Sequence, residues 1–381
     1  MKDTLVCLTA LIRSAITGEK VDLISEADSS FDRIVKLARF HDIAHLAVYA
    51  MLKNNLLSDE AHIKTAERII YEASYRDTKH NYTYELAQET LSKAEIPFVP
   101  LKGVIIKPFY PEKWMRSCCD IDILVHKSDF KKAFELFKNM GFRLAGDLNF
   151  HDVSLLYDDS NLELHFSICE NTSQIDGMLS KVWDYTEKYE GYKYLQTNDY
   201  FIFHHIAHMA YHFLAGGCGI RPFLDLWILN RAGFFDDKAV YELCKMSNIE
   251  VFYEQVKKVA RVWFDGEEHT EITRKIEKYI RSGGKYGYFP NNAAAYTVMK
   301  GGKFNYLFSL AFPKYSNMRV LYPRLNRAPY LLPFYYAYRI FEKTLGRNNT
   351  SAKHNFSTIK GQGDDFVNEV ASLIKSLKLN K

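Results

Sequence analysis

The chain has 381 residues, of which 47% are hydrophobic, 25% charged and 15% aromatic. Such a composition suits one or more packed cores and excludes a largely disordered chain. The net charge of +4 is too small to argue by itself for a nucleic-acid partner.

Taken from the N-terminus, residues 1–95 read as helices. The opening stretch is apolar but is interrupted by Arg13 at helical spacing and has no basic leader, so it reads as an amphipathic helix rather than a signal peptide. Segments 31–53 and 58–94 carry apolar residues at three- and four-residue intervals with almost no proline or glycine. The period changes at Ile96 to Leu101, a short β-rich run that ends in Lys102-Gly103 before a helix over 103–109. Asp120 to Val125 reads as a strand and 127–140 as an amphipathic helix closed by Gly141. Strands follow at Phe142 to Ala145, Val153 to Tyr157 and Leu162 to Ser167, the last two joined by the turn Asp158 to Asn161. From about residue 175 the pattern is helical again, including 197–214, 221–231, 236–247, 249–263 and 270–281.

The expected fold is therefore α+β, a small mixed-sheet core of about 80 residues between two helical regions. The boundaries read as a helical region 1–95, a core 96–170, a helical domain 171–299, a basic aromatic segment 300–347, and a linker with a final helix over 348–381. No run of about 18 apolar residues is present, so a spanning helix is not expected. Six cysteines without a CxxC pair suggest reduced thiols and a cytoplasmic setting.

Chemistry is concentrated in two strands. Side chains alternate along a strand, so Asp120 and Asp122 share one face while Ile121 and Ile123 share the other. Glu163 and His165 have the same design in Leu162 to Phe166, and adjacent placement of the strands would bring three carboxylates together. Like charges that close require compensation, which a hard divalent cation, Mg2+ or Mn2+, supplies through carboxylate oxygens. Two such ions about 3.5–4 Å apart can stabilise the attacking and leaving oxygens of an in-line displacement. The plain alternative is that the acids line the solvated face of an amphipathic sheet.

The stretch PFVPLKGVIIKPFYPEKWMRSCCDIDILV, followed by a helix, a glycine and LELHF, resembles a bacterial nucleotidyltransferase family in the superfamily related to DNA polymerase β. The resemblance spans roughly residues 96–168. It implies that Asp120 and Asp122 bind catalytic metal and that Glu163 ligates the acceptor-side ion or takes the acceptor's proton. The superfamily usually carries Gly-Ser on the turn before the acids, where this chain has Lys102-Gly103 and a longer gap to Asp120. At that turn Gly103 and the following helix N-terminus suit an anion, Lys102 offers a point charge to a triphosphate, and Arg116 a bidentate fork. His165 would orient Glu163 or meet phosphate. Asp225, four residues after Arg221, is expected either in a structural pair or at the substrate.

His205, His208 and His212 share a helix face, a pattern open to zinc, to the nucleotide pocket or to plain packing. Residues 300–347 carry nine cations against Glu342 alone, a net charge of +8, interleaved with rings. That segment reads foremost as a packing element whose rings are buried, then as a surface for single-stranded nucleic acid or another polyanion, and after that for an anionic membrane. The function so implied is metal-dependent transfer of an NMP from an NTP to an unidentified hydroxyl-type acceptor, whether RNA, protein or small molecule. Its alternatives are an inactive nucleotide- or partner-binding module on the same fold, and a scaffold dominated by residues 300–347.

Overall fold

The computed structural model describes residues 3–21, 28–145, 151–170, 175–284, 287–345, 361 and 363–379. Arg347 and nearly all of the linker expected over 348–364 lie outside the described residues. The chain divides into two compact units, Met1–Tyr211 with Gly219–Arg274, and His212–Cys218 with Lys275–Lys381.

The first unit opens with helices α1 (Thr4–Thr17), α2 (Phe31–Phe40), α3 (Ala44–Lys53) and α4 (Glu60–Lys93). Asp59 starts α4 by accepting from the backbone N–H groups of Ala61 and His62, and the helix then runs 34 residues without proline or glycine. Next come β1 (Phe98–Pro100), the short α5 (Gly103–Ile106), β2 (Asp120–Val125), α6 (Phe130–Asn139), β3 (Arg143–Leu144), β4 (Asp152–Tyr157) and β5 (Ser160–His165). Asp158 and Asp159 take positive φ in the two-residue turn that closes the β4–β5 hairpin.

Beyond residue 170 the chain forms α7 (Asp176–Leu179) and a hairpin absent from the sequence reading, β6 (Thr186–Glu190) and β7 (Lys193–Gln196). These seven strands form one mixed sheet in the order β3-β4-β5-β2-β1-β7-β6. The pairs β2–β5 and β1–β7 are parallel and the rest antiparallel. One face of the sheet is apolar, with Ile121, Ile123, Leu162, Leu164 and Val153 packed with Leu91 of α4 and Phe137 of α6. Each fully buried side chain of that size is worth about 1.5–3 kcal/mol, which fixes the strand register and commits the alternate residues to the opposite face.

Helices α8 (Asn198–Leu214), α9 (Arg221–Arg231), α10 (Asp237–Met246), α11 (Glu250–Phe264) and α12 (Glu271–Gly283) follow. The second unit contains α13 (Phe289–Met299), α14 (Lys303–Ala311), α15 (Tyr315–Leu321), α16 (Leu332–Leu345) and a final helix, α17 (Asp364–Ser376), packed against α13. Residues 300–345 are not the buried packing element that was one of the expectations. Tyr306, Met318 and Leu325 are buried, but Phe304 and Tyr330 are each 79% exposed. Among the described residues no helix is long and apolar enough to cross a membrane.

Candidate active site

The polar face of the sheet is assembled by register. Asp122 lies opposite Glu163 in the parallel β2–β5 pair, with Asp120 opposite Asn161 and Leu124 opposite His165. The β4–β5 hairpin places Asp152 opposite His165. His165 Nε2 lies 3.0 Å from Asp122 Oδ1 and 3.5 Å from Glu163 Oε2. The Lys102 ammonium donates to the same Asp122 oxygen at 3.3 Å. Ligand atoms of Asp122, Glu163 and His165 all lie within 4.8 Å of one another. Asp120 stands outside that trio, its Oδ1 accepting from Asn161 Nδ2 at 2.8 Å.

Electrostatics separate the two facing carboxylates. Burial pushes the Asp122 carboxyl up, but Lys102 and His165 outweigh it and hold the group well below the usual carboxylate range. Glu163 moves the other way: burial raises it, the charges of Asp122 and Asp120 raise it further, and His165 offsets only part. Burial pushes His165 down, yet its hydrogen bonds to Asp122 and Glu163 win and bring it to about 9. Lys102 stays protonated because Asp122, Glu163 and Glu170 outweigh its burial. Its backbone has φ 47° and ψ −108°, an uncommon conformation for a non-glycine residue, at the turn that aims the ammonium at Asp122.

Three further groups were not singled out from sequence. His151, Asp152 and His165 form a second trio with ligand atoms within 4.8 Å, and the His151 and His165 rings stack at 5.9 Å. Glu170 is half-buried and raised by that burial, with Lys102 and His165 opposing. Its Oε1 accepts from His208 Nδ1 at 2.9 Å. Asp152 lies one residue before the strand read from sequence and Glu170 lies in a loop, so neither carried a local signal.

Other expected residues sit elsewhere. The Arg116 guanidinium closes on Asp225, with Nη2 donating to Oδ2 at 2.8 Å and Nε to Oδ1 at 3.3 Å. Tyr110 Oη donates to the same carboxylate at 2.7 Å, and Asp225 is 0% exposed. The fork expected for phosphate is thus turned to a carboxylate that has no solvent exposure. Gly103 packs so closely that an added Cβ would stand 2.4 Å from Cys118 Sγ and 2.5 Å from Arg116 Nη1. Helix α5 is a single turn of four residues, continued by a 3-10 turn over Lys107–Phe109, so the helical run spans the expected 103–109. On α8, His205 Nε2 donates to the Pro222 carbonyl at 2.9 Å, and His204 is pushed down to about 3 by burial.

A family model described as an uncharacterised nucleotidyltransferase matches residues 27–265, more than half of the chain. The chain belongs to this nucleotidyltransferase family. The matched region takes in all seven strands and every site residue named above, from Lys102 to Asp225. No curated protein and no solved structure matches the chain.

Proposed function

We propose that the polar face of β2 and β5 catalyses metal-dependent transfer of an NMP from an NTP to a hydroxyl-type acceptor, releasing pyrophosphate. The acceptor class is RNA, protein or a small molecule. The observation that carries this reading is the register of Asp122 against Glu163, two carboxylates of opposite electrostatic character on one wall.

The donor set fits Mg2+ or Mn2+: carboxylate oxygens of Asp122 and Glu163 stand within 4.8 Å, with Asp120 two residues along the same face. When bound, the ion neutralises triphosphate charge and polarises the reacting phosphoryl group. Asp122 is held ionised by Lys102 and His165 and would be the carboxylate that holds the ion. Lys102, held beside it, adds a fixed positive charge next to the triphosphate. The acceptor oxygen attacks the α-phosphorus, the bond to pyrophosphate breaks, and the acceptor's proton passes to Glu163. A carboxylate raised by burial is a better base than an ordinary one, which favours Glu163 for that task. Arg116, through Asp225, is a positioning residue for the segment that enters β2. Six cysteines with no CxxC pair among them favour a reducing, cytoplasmic setting.

A second reading, a catalytically inactive nucleotide- or partner-binding module, draws on the closed turn at Gly103 and the engagement of Arg116 by Asp225. Mn2+ titration followed by electron paramagnetic resonance tests the site itself. The catalytic reading expects one or two bound ions whose affinity falls at least tenfold in Asp122→Asn and Glu163→Gln. Binding unchanged in both variants would place the ion elsewhere.

A further inference from the structure

Residues 300–345 present an unusual surface for a water-facing segment. On α14, Phe304, Phe308 and the capping residue Phe312 recur every four residues, all exposed, with consecutive rings in contact at 6.4 and 4.8 Å. On α16, Phe334, Tyr338 and Phe341 follow at spacings of four and three, again exposed. The two helices are tied together: Arg339 Nη2 donates to the Leu310 carbonyl at 3.3 Å, and the Phe312 and Tyr336 rings meet at 5.3 Å. Buried Met318 and Leu325 give the intervening turns their own anchor points, so the rings are displayed by a folded element. Leu321 and Tyr330 extend the exposed apolar surface between the helices.

The same segment is strongly basic. Lys300, Lys314, Arg319, Arg324 and Arg327 are exposed, and Glu342 is the one acid in the segment. Arg319 lies over the Tyr315 ring at 5.3 Å. Exposed phenylalanine stripes at helical spacing beside unpaired-sign basic charge are what an interfacial element needs: rings enter the acyl boundary while cations meet anionic headgroups.

We infer that α14, the turns after it and α16 form a docking surface for an anionic lipid membrane, lying on the bilayer rather than crossing it. Single-stranded nucleic acid also takes rings and cations, but it stacks on flat rings and has no use for exposed aliphatic side chains. Here Leu310, Leu321 and Ile340 are exposed among the rings, which favours hydrocarbon. No helix among the described residues can span a bilayer, which leaves surface binding as the mode. This inference is independent of the catalytic reading.

The test uses the full-length protein, sedimented with vesicles of phosphatidylcholine alone or of phosphatidylcholine with phosphatidylglycerol, at low and high salt. Cosedimentation is expected with the anionic vesicles and weakly or not at all with neutral ones, and it should fall with salt. The triple variant Phe304→Ser, Phe308→Ser, Phe334→Ser should lose partitioning about tenfold or more. The pair Arg324→Glu, Arg327→Glu should lose it chiefly at low salt. All five positions are exposed, so circular dichroism and melting temperature should be unchanged in both variants. Absence of binding to either vesicle overturns the inference. So does vesicle binding that ignores the ring substitutions, or ring-dependent binding to single-stranded RNA or to a second copy of the chain without any to vesicles.

Discussion

Asp122 and Glu163 face each other across the parallel β2–β5 pair, yet their surroundings drive their carboxyl groups in opposite directions. Asp122 is the counter-charge of Lys102 and of the raised His165, whereas Glu163 is crowded by the negative charges of Asp122 and Asp120. In a chelator, Asp122→Asn should therefore destabilise the fold by on the order of 2 kcal/mol, because a charged hydrogen-bonding partner of buried His165 and half-buried Lys102 is lost. Glu163→Gln should be neutral or slightly stabilising. Urea unfolding of both variants checks this; equal losses would mean that the two carboxylates share one environment.

Asp225 has no solvent exposure and holds Arg116 and Tyr110 at once. Asp225→Ala leaves a buried guanidinium unpaired and should cost about 3–5 kcal/mol. Tyr110→Phe removes a single hydrogen bond and should cost about 1 kcal/mol. Thermal and urea unfolding measure both. A substrate-binding role for Asp225 would instead leave stability intact and raise KM for the nucleotide.

Gly103 is outside the left-handed region, so its requirement is space rather than backbone freedom. Gly103→Ala drives a methyl into Cys118 Sγ and Arg116 Nη1 and should destabilise by about 1–3 kcal/mol. Adding Cys118→Ala should recover part of that loss but not all, since Arg116 still blocks. A double-mutant cycle on melting temperature measures the coupling; additive losses would contradict the contact.

The two acidic strands were legible because each alternates cleanly: Ile121 and Ile123, like Leu162 and Leu164, are committed to the core, which leaves the acids together on the other face. The β6–β7 hairpin was not, because Lys188, Glu190 and Lys193 sit at a half-exposed sheet edge where no apolar period is imposed. The pairing of Arg116 with Asp225 spans 109 positions, and no local pattern announces it. A basic residue before two acids reads as a phosphate fork until the buried partner is known. Similarly, Asp152 joins the site only through its register with His165.

His41 is buried with neither ring nitrogen hydrogen-bonded, and burial pushes it down to about 4 from its ordinary 6.5. The folded state keeps the ring neutral while the unfolded chain takes up a proton below 6.5, so stability from this group is complete above pH 6.5 and lost as pH falls toward 4. The full loss is on the order of 3 kcal/mol. Unfolding at neutral and at mildly acidic pH should show a flatter acid limb for His41→Leu than for the wild type. Identical limbs would mean that His41 is hydrated in the fold.

Nucleotidyl transfer by the Asp122–Glu163 wall can be read directly from labelled product. Full-length protein should be incubated with each α-labelled NTP, Mg2+ or Mn2+, and a total cell extract, alongside Asp122→Asn and Glu163→Gln. Label should be transferred by the wild type with one or more NTPs, falling about a hundredfold or more in both variants and abolished by chelator. Transfer that survives both substitutions, or none with any nucleotide from a wild type that binds Mn2+ at this wall, would contradict it.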